Sequence, residues 1–522
     1  MALASLFRPR GAVCTPGDWS AQMLDAWVLA VFIAYFAVLI GIAVFRARRM
    51  RAMSDYVLGG RRLSSFTTAL SASSSTTSAW TILALPALAF AGGVTHLWTV
   101  VALVAGSWLC WTVVAKRLRR YTIAADDALT LPEFLEKRFG DTSQVLRTLA
   151  ALLTILFVIF YVSSGLVAGA KLLESEFGVE YTPGILITLI AVASYTFIGG
   201  FLAVSRTDVF QSVLMLVGFM IVPLTLIVVA GESLLRAGSD TPGFWNPLTD
   251  PDNNPITPVM LLSAVGWGLG FFGSQRILQR FMAIEGESSI PAGRSIGTIW
   301  IALMYTTAVV LGVIALPALT EIDLLEAVAD PERIYLVVAV AFFHPIITGL
   351  LMTTLIAAVM STADSQLLLA SAVAADDVPV IRRLTYSRAA YARVWIGRGL
   401  LVVIGIVAAV LALVAQESVL QLVTYAWGGM GAAFGPVTIL ALYWRRFNLW
   451  GAGAAIVTGT LVSSIWWASS GGPGGVMDIH PATPGFVVGL ITAVAVSLLT
   501  PPPAAATVRT FDRVIGEREA AA

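Results

Sequence analysis

Apolar residues run through this chain in long blocks, separated by short polar, glycine-rich or proline-rich stretches. A helix needs ~20 consecutive apolar residues to cross the hydrocarbon of a bilayer. Thirteen blocks approach or exceed that length: 24–45, 66–92, 95–115, 146–170, 182–204, 209–230, 258–281, 295–318, 340–372, 394–415, 419–444, 448–468 and 484–501. The longest links, 116–145, 231–257 and 373–393, are modest loops with no aqueous domain among them. The pattern predicts an all-α polytopic membrane protein of about 13 transmembrane helices. An N-terminal tail covers 1–23, a transmembrane domain 24–502 and a cytoplasmic C-terminal tail 503–522.

Composition agrees. The chain is 58% hydrophobic and 12% charged, with a mean hydropathy of +0.85. A soluble domain is about a quarter charged, and no core of this length hides so much apolar surface, so lipid is the expected solvent. The net charge of +1 says nothing about nucleic acid; no basic domain stands apart, and no nucleic-acid partner is expected. Cys14 and Cys110 suggest neither a disulfide framework nor a metal site, and His96, His344 and His480 lack ligand spacing. Residues 1–22 lack a cleavage site after an apolar run. They read as a short tail or as a start placed too early, with a more conventional membrane-protein start at Met23.

Charge sets an orientation. With the N-terminus outside, the segments 46–62, 116–147, Arg206, 276–294, 382–398, Arg445–Arg446 and 509–518 are cytoplasmic, and they hold 27 of the 32 Lys and Arg. Acidic residues such as Glu321, Asp323, Glu326, Asp330 and Glu332 fall outside. An excess of basic residues on the cytoplasmic side is what membrane insertion selects.

Two blocks are poor helices. Seven of the ten residues Ser71–Trp80 are hydroxylic, and Gly266–Gly273 holds four glycines in eight residues. Hydroxyls compete for nearby backbone groups, and such a run at membrane depth belongs where it lines a cavity or is buried in protein. The glycines permit close helix packing or an accessible backbone. The blocks are the second and seventh, so each would open one of two five-helix repeats, spans 2–6 and 7–11. Interrupted helices at matching places in two halves point to a transporter's central site. In the ninth block, Ala358, Ser361, Thr362 and Ser365 lie on one helix face. Hydroxyls with freed carbonyls suit a small hard cation. Asp364 beside them is costly at membrane depth and therefore a functional candidate.

The chain resembles the sodium:solute symporters, most closely the bacterial sodium/proline branch. The resemblance is carried by Asp55–Leu63, Leu129–Phe134, Tyr195–Val204, Gly266–Gly270, Ala357–Thr362 and Tyr425–Pro436, in order along nearly the whole chain. It implies a LeuT-type 5+5 inverted repeat with flanking helices. It also implies sodium as the coupling ion, with no other cofactor, bound by Ser74, Thr77, Ala358, Ser361 and Thr362. Asp208 matches the acid of a second sodium site in some members, completed by Ser361, Asp364 and Ser365. Substrate contacts would be Ser78, Ala79, Trp80, Tyr161, Trp267, Phe271 and Gln275. The chain departs from proline symporters at Thr76, where they carry Asp, at Phe271, where they carry Tyr, and at Gln275, where they carry Pro.

The expectation is therefore sodium-coupled symport of a small amino acid, proline or a similar one, across a bacterial inner membrane by alternating access. The solute and the lipid bilayer are the expected partners; no oligomeric state is read from the sequence. Other readings are a symporter-like sensor with a separate signalling partner and proton-coupled transport of another small carboxylate. An enzyme is not expected: the intramembrane polar residues are hydroxyls, amides and rings rather than acid–base pairs. Trp98, Trp108, Trp111, Trp466 and Trp467 read as interfacial anchors or packing.

Overall fold

The computed structural model describes residues 26–47, 53–231, 234, 241–321, 324, 325, 328, 330–386, 390–415, 418–470 and 479–516. The predicted tail 1–23, with Cys14, lies outside the described residues, as does much of the 231–240 link. Among the described residues the regular structure is helical, and ten helical stretches are long and apolar enough to cross a membrane.

The main helices in chain order are α1 (Ala26–Ala47), α2 (Ser65–Ser74), α3 (Ala79–Ile82), α4 (Ala84–Gly92), α5 (Leu97–Cys110), α6 (Lys116–Ala124), α7 (Leu131–Phe139), α8 (Val145–Phe177) and α9 (Tyr181–Ala230). They continue with α10 (Pro258–Gly273), α11 (Gln275–Ala283), α12 (Ile290–Glu321), α13 (Ile334–Phe342), α14 (Pro345–Asp377), α15 (Ala390–Ala415), α16 (Val419–Tyr443), α17 (Leu449–Ser470), α18 (Ala482–Leu499) and α19 (Ala505–Gly516).

Several predicted blocks are divided differently. Block 66–92 is three helices, α2 to α4. Blocks 182–204 and 209–230 lie in the 50-residue α9, which bends at Gly200 (φ 60°, ψ −167°). At about 1.5 Å per residue a straight helix of that length would be more than twice the thickness of the hydrocarbon, so the bend turns one helix into two crossings. That φ is open to glycine and costly for other residues. The expected C-terminal tail includes α19, which packs on α6 and α7.

The bundle is sorted by burial. Pro345–Asp377 and Val419–Tyr443 are mostly enclosed, whereas Val228, Ile190, Val414 and Leu499 are among the large apolar side chains left exposed as a lipid face. An exposed apolar surface of this extent is stable only against lipid.

The polar links gather at two ends. At one end Arg61 donates to the carbonyls of Met282 and Ala128, Arg120 pairs with Glu287, Arg138 donates to the Ala441 carbonyl, and Arg445 pairs with Asp512 of α19. Arg147 there joins Glu136 to Asp377. At the other end Lys171 pairs with Glu332, and Trp98 Nε1 donates to the Pro247 carbonyl. Segments predicted to share the cytoplasmic side thus touch one another.

Candidate functional site

The first break follows from its own side chains. Ser64 caps α2 by accepting from the Thr67 amide at 3.3 Å. After Ser74 the hydroxyls of Ser75 and Thr76 bond back to the Ala72 carbonyl at 3.1 and 2.7 Å, and that of Thr77 to Ser73 at 3.2 Å. The backbone tightens, with Thr76 N to Ser73 O at 3.0 Å and Thr77 N to Ser74 O at 3.1 Å. Side-chain competition for carbonyls ends the helix, and Ser78 is extended (φ −99°, ψ −172°) before α3 begins. Tyr305 of α12 pins the break by donating to the Thr76 carbonyl at 3.2 Å.

The second break is at Ser274 (φ −72°, ψ 98°), between α10 and α11. It comes just after the glycine run, which is itself helical. The glycines act by close approach. A Cβ on Gly268 would lie 2.4 Å from the Ala102 carbonyl oxygen, one on Gly270 2.0 Å from Trp427 Nε1, and one on Gly273 1.9 Å from the Met430 carbonyl oxygen. The packing role expected for small residues in membranes applies here.

Between the first break and α14 lie the expected sodium residues. Ser361 Oγ is 3.4 Å from the carbonyl oxygens of both Ser74 and Ala358, which brings three oxygens from two helices together. The hydroxyls of Ser74 and Thr362 are buried and have no hydrogen-bond partner among the described residues. Oxygen groups left unpaired in a buried polar spot fit a small cation. Thr77 shares the break, but its hydroxyl is turned to Ser73.

Two of the residues expected at a second sodium, Asp208 and Ser365, meet at Arg280. Asp208 Oδ2 accepts from Ser71 Oγ at 2.5 Å and from Arg280 Nη2 at 3.4 Å, and Arg280 Nη2 also donates to Ser365 Oγ at 2.5 Å. Asp364 instead accepts from Tyr195 OH at 2.5 Å. A guanidinium therefore stands between Asp208 and Ser365. The charge count places Arg276 and Arg280 in the cytoplasmic segment 276–294, at the end of the span 258–281; both are fully buried in α11 (0% exposed).

The expected substrate residues form a chain of contacts. Trp80 stacks on Trp267, with centroids 4.4 Å apart and planes 15° apart, and Trp80 lies 5.5 Å from the Tyr305 ring. Trp427 Nε1 donates to the Trp267 carbonyl at 2.9 Å, and the Trp427 ring meets Phe271 edge-on at 5.3 Å. The Arg276 guanidinium lies 4.3 Å from the centre of the Tyr161 ring and 5.3 Å from that of Trp427. Gln275 Nε2 donates to Thr154 Oγ1 at 2.5 Å, leaving its carbonyl oxygen unpaired. Ser78 and Ala79 sit at the start of α3, and the Ser78 hydroxyl is unpaired.

Sequence reasoning missed Tyr305, Trp427, Thr154, His480 (4.6 Å from the Trp267 ring) and Arg276 in this cluster. Trp427 had a signal, lying in the glycine-rich stretch 425–436. Of the tryptophans read as anchors or packing, Trp111 is buried against Phe281 at 4.5 Å and packs the core.

Known proteins agree with this architecture. An osmoregulated proline transporter of Bacillus subtilis is 36% identical over 91% of this chain and 96% of its own length. A sodium/proline symporter of Escherichia coli is 36% identical over 93% and 95%. Among solved structures, a Na+-coupled sialic acid symporter superposes with a TM-score of 0.75 at 22% identity, covering 92% of this chain and 99% of that one, which places the chain in the LeuT-type fold. The family model of the sodium:solute symporter family matches residues 56–459. With two broken helices meeting a hydroxyl-bearing one at the centre of a membrane bundle, the chain belongs to the sodium:solute symporter family.

Proposed function

We propose that this chain couples the inward movement of sodium to uptake of a small amino acid, proline or one similar to it, by alternating access in a bacterial inner membrane. The observation that carries the reading is the convergence of the Ser74 carbonyl, the Ala358 carbonyl and the Ser361 hydroxyl between a broken helix and α14. Sodium would take these oxygens together with Thr362 and Thr77. The ion gives up water for ligands of similar strength, so it can bind and still leave.

The solute would lie among Trp80, Tyr161, Trp267, Phe271 and Gln275, with Ser78 and Ala79 at its edge. Because one interrupted helix supplies Ser74 and Thr77 to the cation and Ser78, Ala79 and Trp80 to the solute, filling the cation site orders the break that faces the solute. That shared element is the physical basis for coupling. A second sodium at Asp208, Ser361, Asp364 and Ser365 requires Arg280 to swing away from Asp208 and Ser365. The N-terminus would lie outside and α19 in the cytoplasm. Relatives named as proline transporters support the solute class.

The test is uptake of radiolabelled L-proline and a panel of other small amino acids into proteoliposomes. An inward sodium gradient should drive accumulation, and an equal proton gradient without sodium should not. Uptake indifferent to sodium would refute the coupling.

A further inference from the structure

We propose that Arg276 is the residue that receives the carboxylate of the transported solute, so that the site selects small carboxylates over their neutral amides. The inference rests on the symport reading for the solute's presence, but its own observations concern the charge. Arg276 is fully buried, and Nε, Nη1 and Nη2 have no hydrogen-bond partner among the described residues. A buried guanidinium whose donors are all unused is costly unless something pairs with it during the working cycle.

Its neighbour one helical turn on makes the contrast. Arg280 is equally buried, yet it donates to Ser71, Ser365, Asp208 and the Arg276 carbonyl. Arg276 instead has its Cζ over the rings of Tyr161 and Trp427, 4.3 and 5.3 Å from their centres. Cation–π attraction to the rings holds the guanidinium and leaves its N–H edge for a ligand. A carboxylate matches that edge with two parallel bonds, which a neutral amide cannot reproduce.

The position suits the task. Arg276 is the second residue of α11, just past the Ser274 break and beside Gln275, whose side-chain oxygen is also unpaired. Trp427, over which its Cζ lies, holds the Trp267 carbonyl and packs on Phe271. The opposing break, Ser75-Thr76-Thr77-Ser78, contains no acid that could neutralise it from within. The missing partner is thus an anion of the size the aromatic cluster admits.

The experiment uses the full chain, purified and reconstituted, as wild type, Arg276→Gln and Arg276→Lys. Binding is measured for matched pairs, L-proline with L-prolinamide and L-pipecolate with its amide, plus pyroglutamate and L-lactate. In the wild type at least one carboxylate should bind on the order of 100-fold tighter than its amide, or, for pyroglutamate and lactate, tighter than the corresponding neutral amide. Arg276→Gln should erase that preference and leave amide binding within a few-fold. Arg276→Lys, which keeps charge but loses the fork, should lie between them.

The melting temperature without ligand separates this role from a structural one. Removing an unpaired buried cation should leave it unchanged or raise it, whereas removing a structural contact should lower it. A carboxylate preference that survives in Arg276→Gln overturns the proposal, as does a wild type that binds none of these carboxylates. If Arg276→Gln fails to fold, or melts lower than wild type, the role is structural and the proposal falls; Arg276→Lys with wild-type carboxylate affinity overturns it too. Carboxylate binding through Arg276 without sodium-driven uptake would sink the symport reading alone. Sodium-driven carboxylate uptake that Arg276→Gln leaves unchanged would sink this inference alone.

Discussion

At the scale of single residues, the cation site rests on few groups. Ser361 supplies one hydroxyl near two carbonyls, and Thr362 supplies another that is otherwise unpaired. A hard cation here has about five or six oxygens, and losing one interaction with a charged group costs roughly 1.5–3 kcal/mol. Ser361→Ala and Thr362→Ala are each expected to raise the sodium concentration for half-maximal uptake ~10-fold or more, with surface expression near normal. A sodium titration that superposes on wild type for both variants would remove these residues from the site. Specificity rests on other residues. Gln275 is the first residue of α11, a position where proline is well tolerated because the missing N–H would be unused. Gln275→Pro with Phe271→Tyr should therefore fold and should shift preference toward L-proline, since it removes an amide that binds Thr154 and adds a hydroxyl beside Trp427. An unchanged competitor ranking would show that these positions do not set the choice of solute. Part of this residue set could be read from the sequence, because the hydroxyls of Ser361, Thr362 and Ser365, at i+3, i+4 and i+7 from Ala358, leave a visible periodicity. Arg276 could not. In the sequence it is one basic residue beside a polar link, and only the packing of α11 between Tyr161 and Trp427 reveals it as buried.

At the scale of elements, both interruptions were legible and their causes only partly so. The run of hydroxyls from Ser71 to Ser78 breaks its helix by bonding its own backbone, as the composition implied. The glycines of α10 looked like a weak helix; in the fold they stay helical, and the break comes at Ser274. What a glycine run accommodates depends on the neighbour it meets, and neither Met430 nor Trp427 is near it in sequence. This distinction makes a prediction. Gly273→Ala would place a methyl 1.9 Å from the Met430 carbonyl oxygen, forcing α10 away from α16. Overpacking of this kind costs ~1–3 kcal/mol or more. The variant should melt well below wild type and lose sodium-driven uptake. Gly453→Ala in α17, where nothing lies within 4 Å, should melt at or slightly above wild type. Equal melting temperatures for the two would mean that the close approach at Gly273 is not a constraint.

At the scale of the molecule, the sequence pattern and the fold bear on sidedness independently. The positive-inside count placed six separated basic segments and Arg206 on one side of the bilayer. In the fold, members of that group bond one another across long sequence distances: Arg61 reaches Met282, Arg120 reaches Glu287, and Arg445 reaches Asp512. A bundle whose spans were miscounted by one would have thrown alternate segments to the other end and separated these pairs. The exceptions are Arg276 and Arg280, which turned out to be interior, and the pattern survives without them. Single cysteines test which end faces the cytoplasm. In a background with Cys14 and Cys110 replaced by serine, Asp252→Cys and Arg383→Cys sit at exposed positions on opposite predicted sides. A membrane-impermeant maleimide added to intact cells should label residue 252 and leave residue 383 untouched until the membrane is permeabilised. The reverse pattern would invert the orientation, and with it the direction in which the sodium gradient drives the solute.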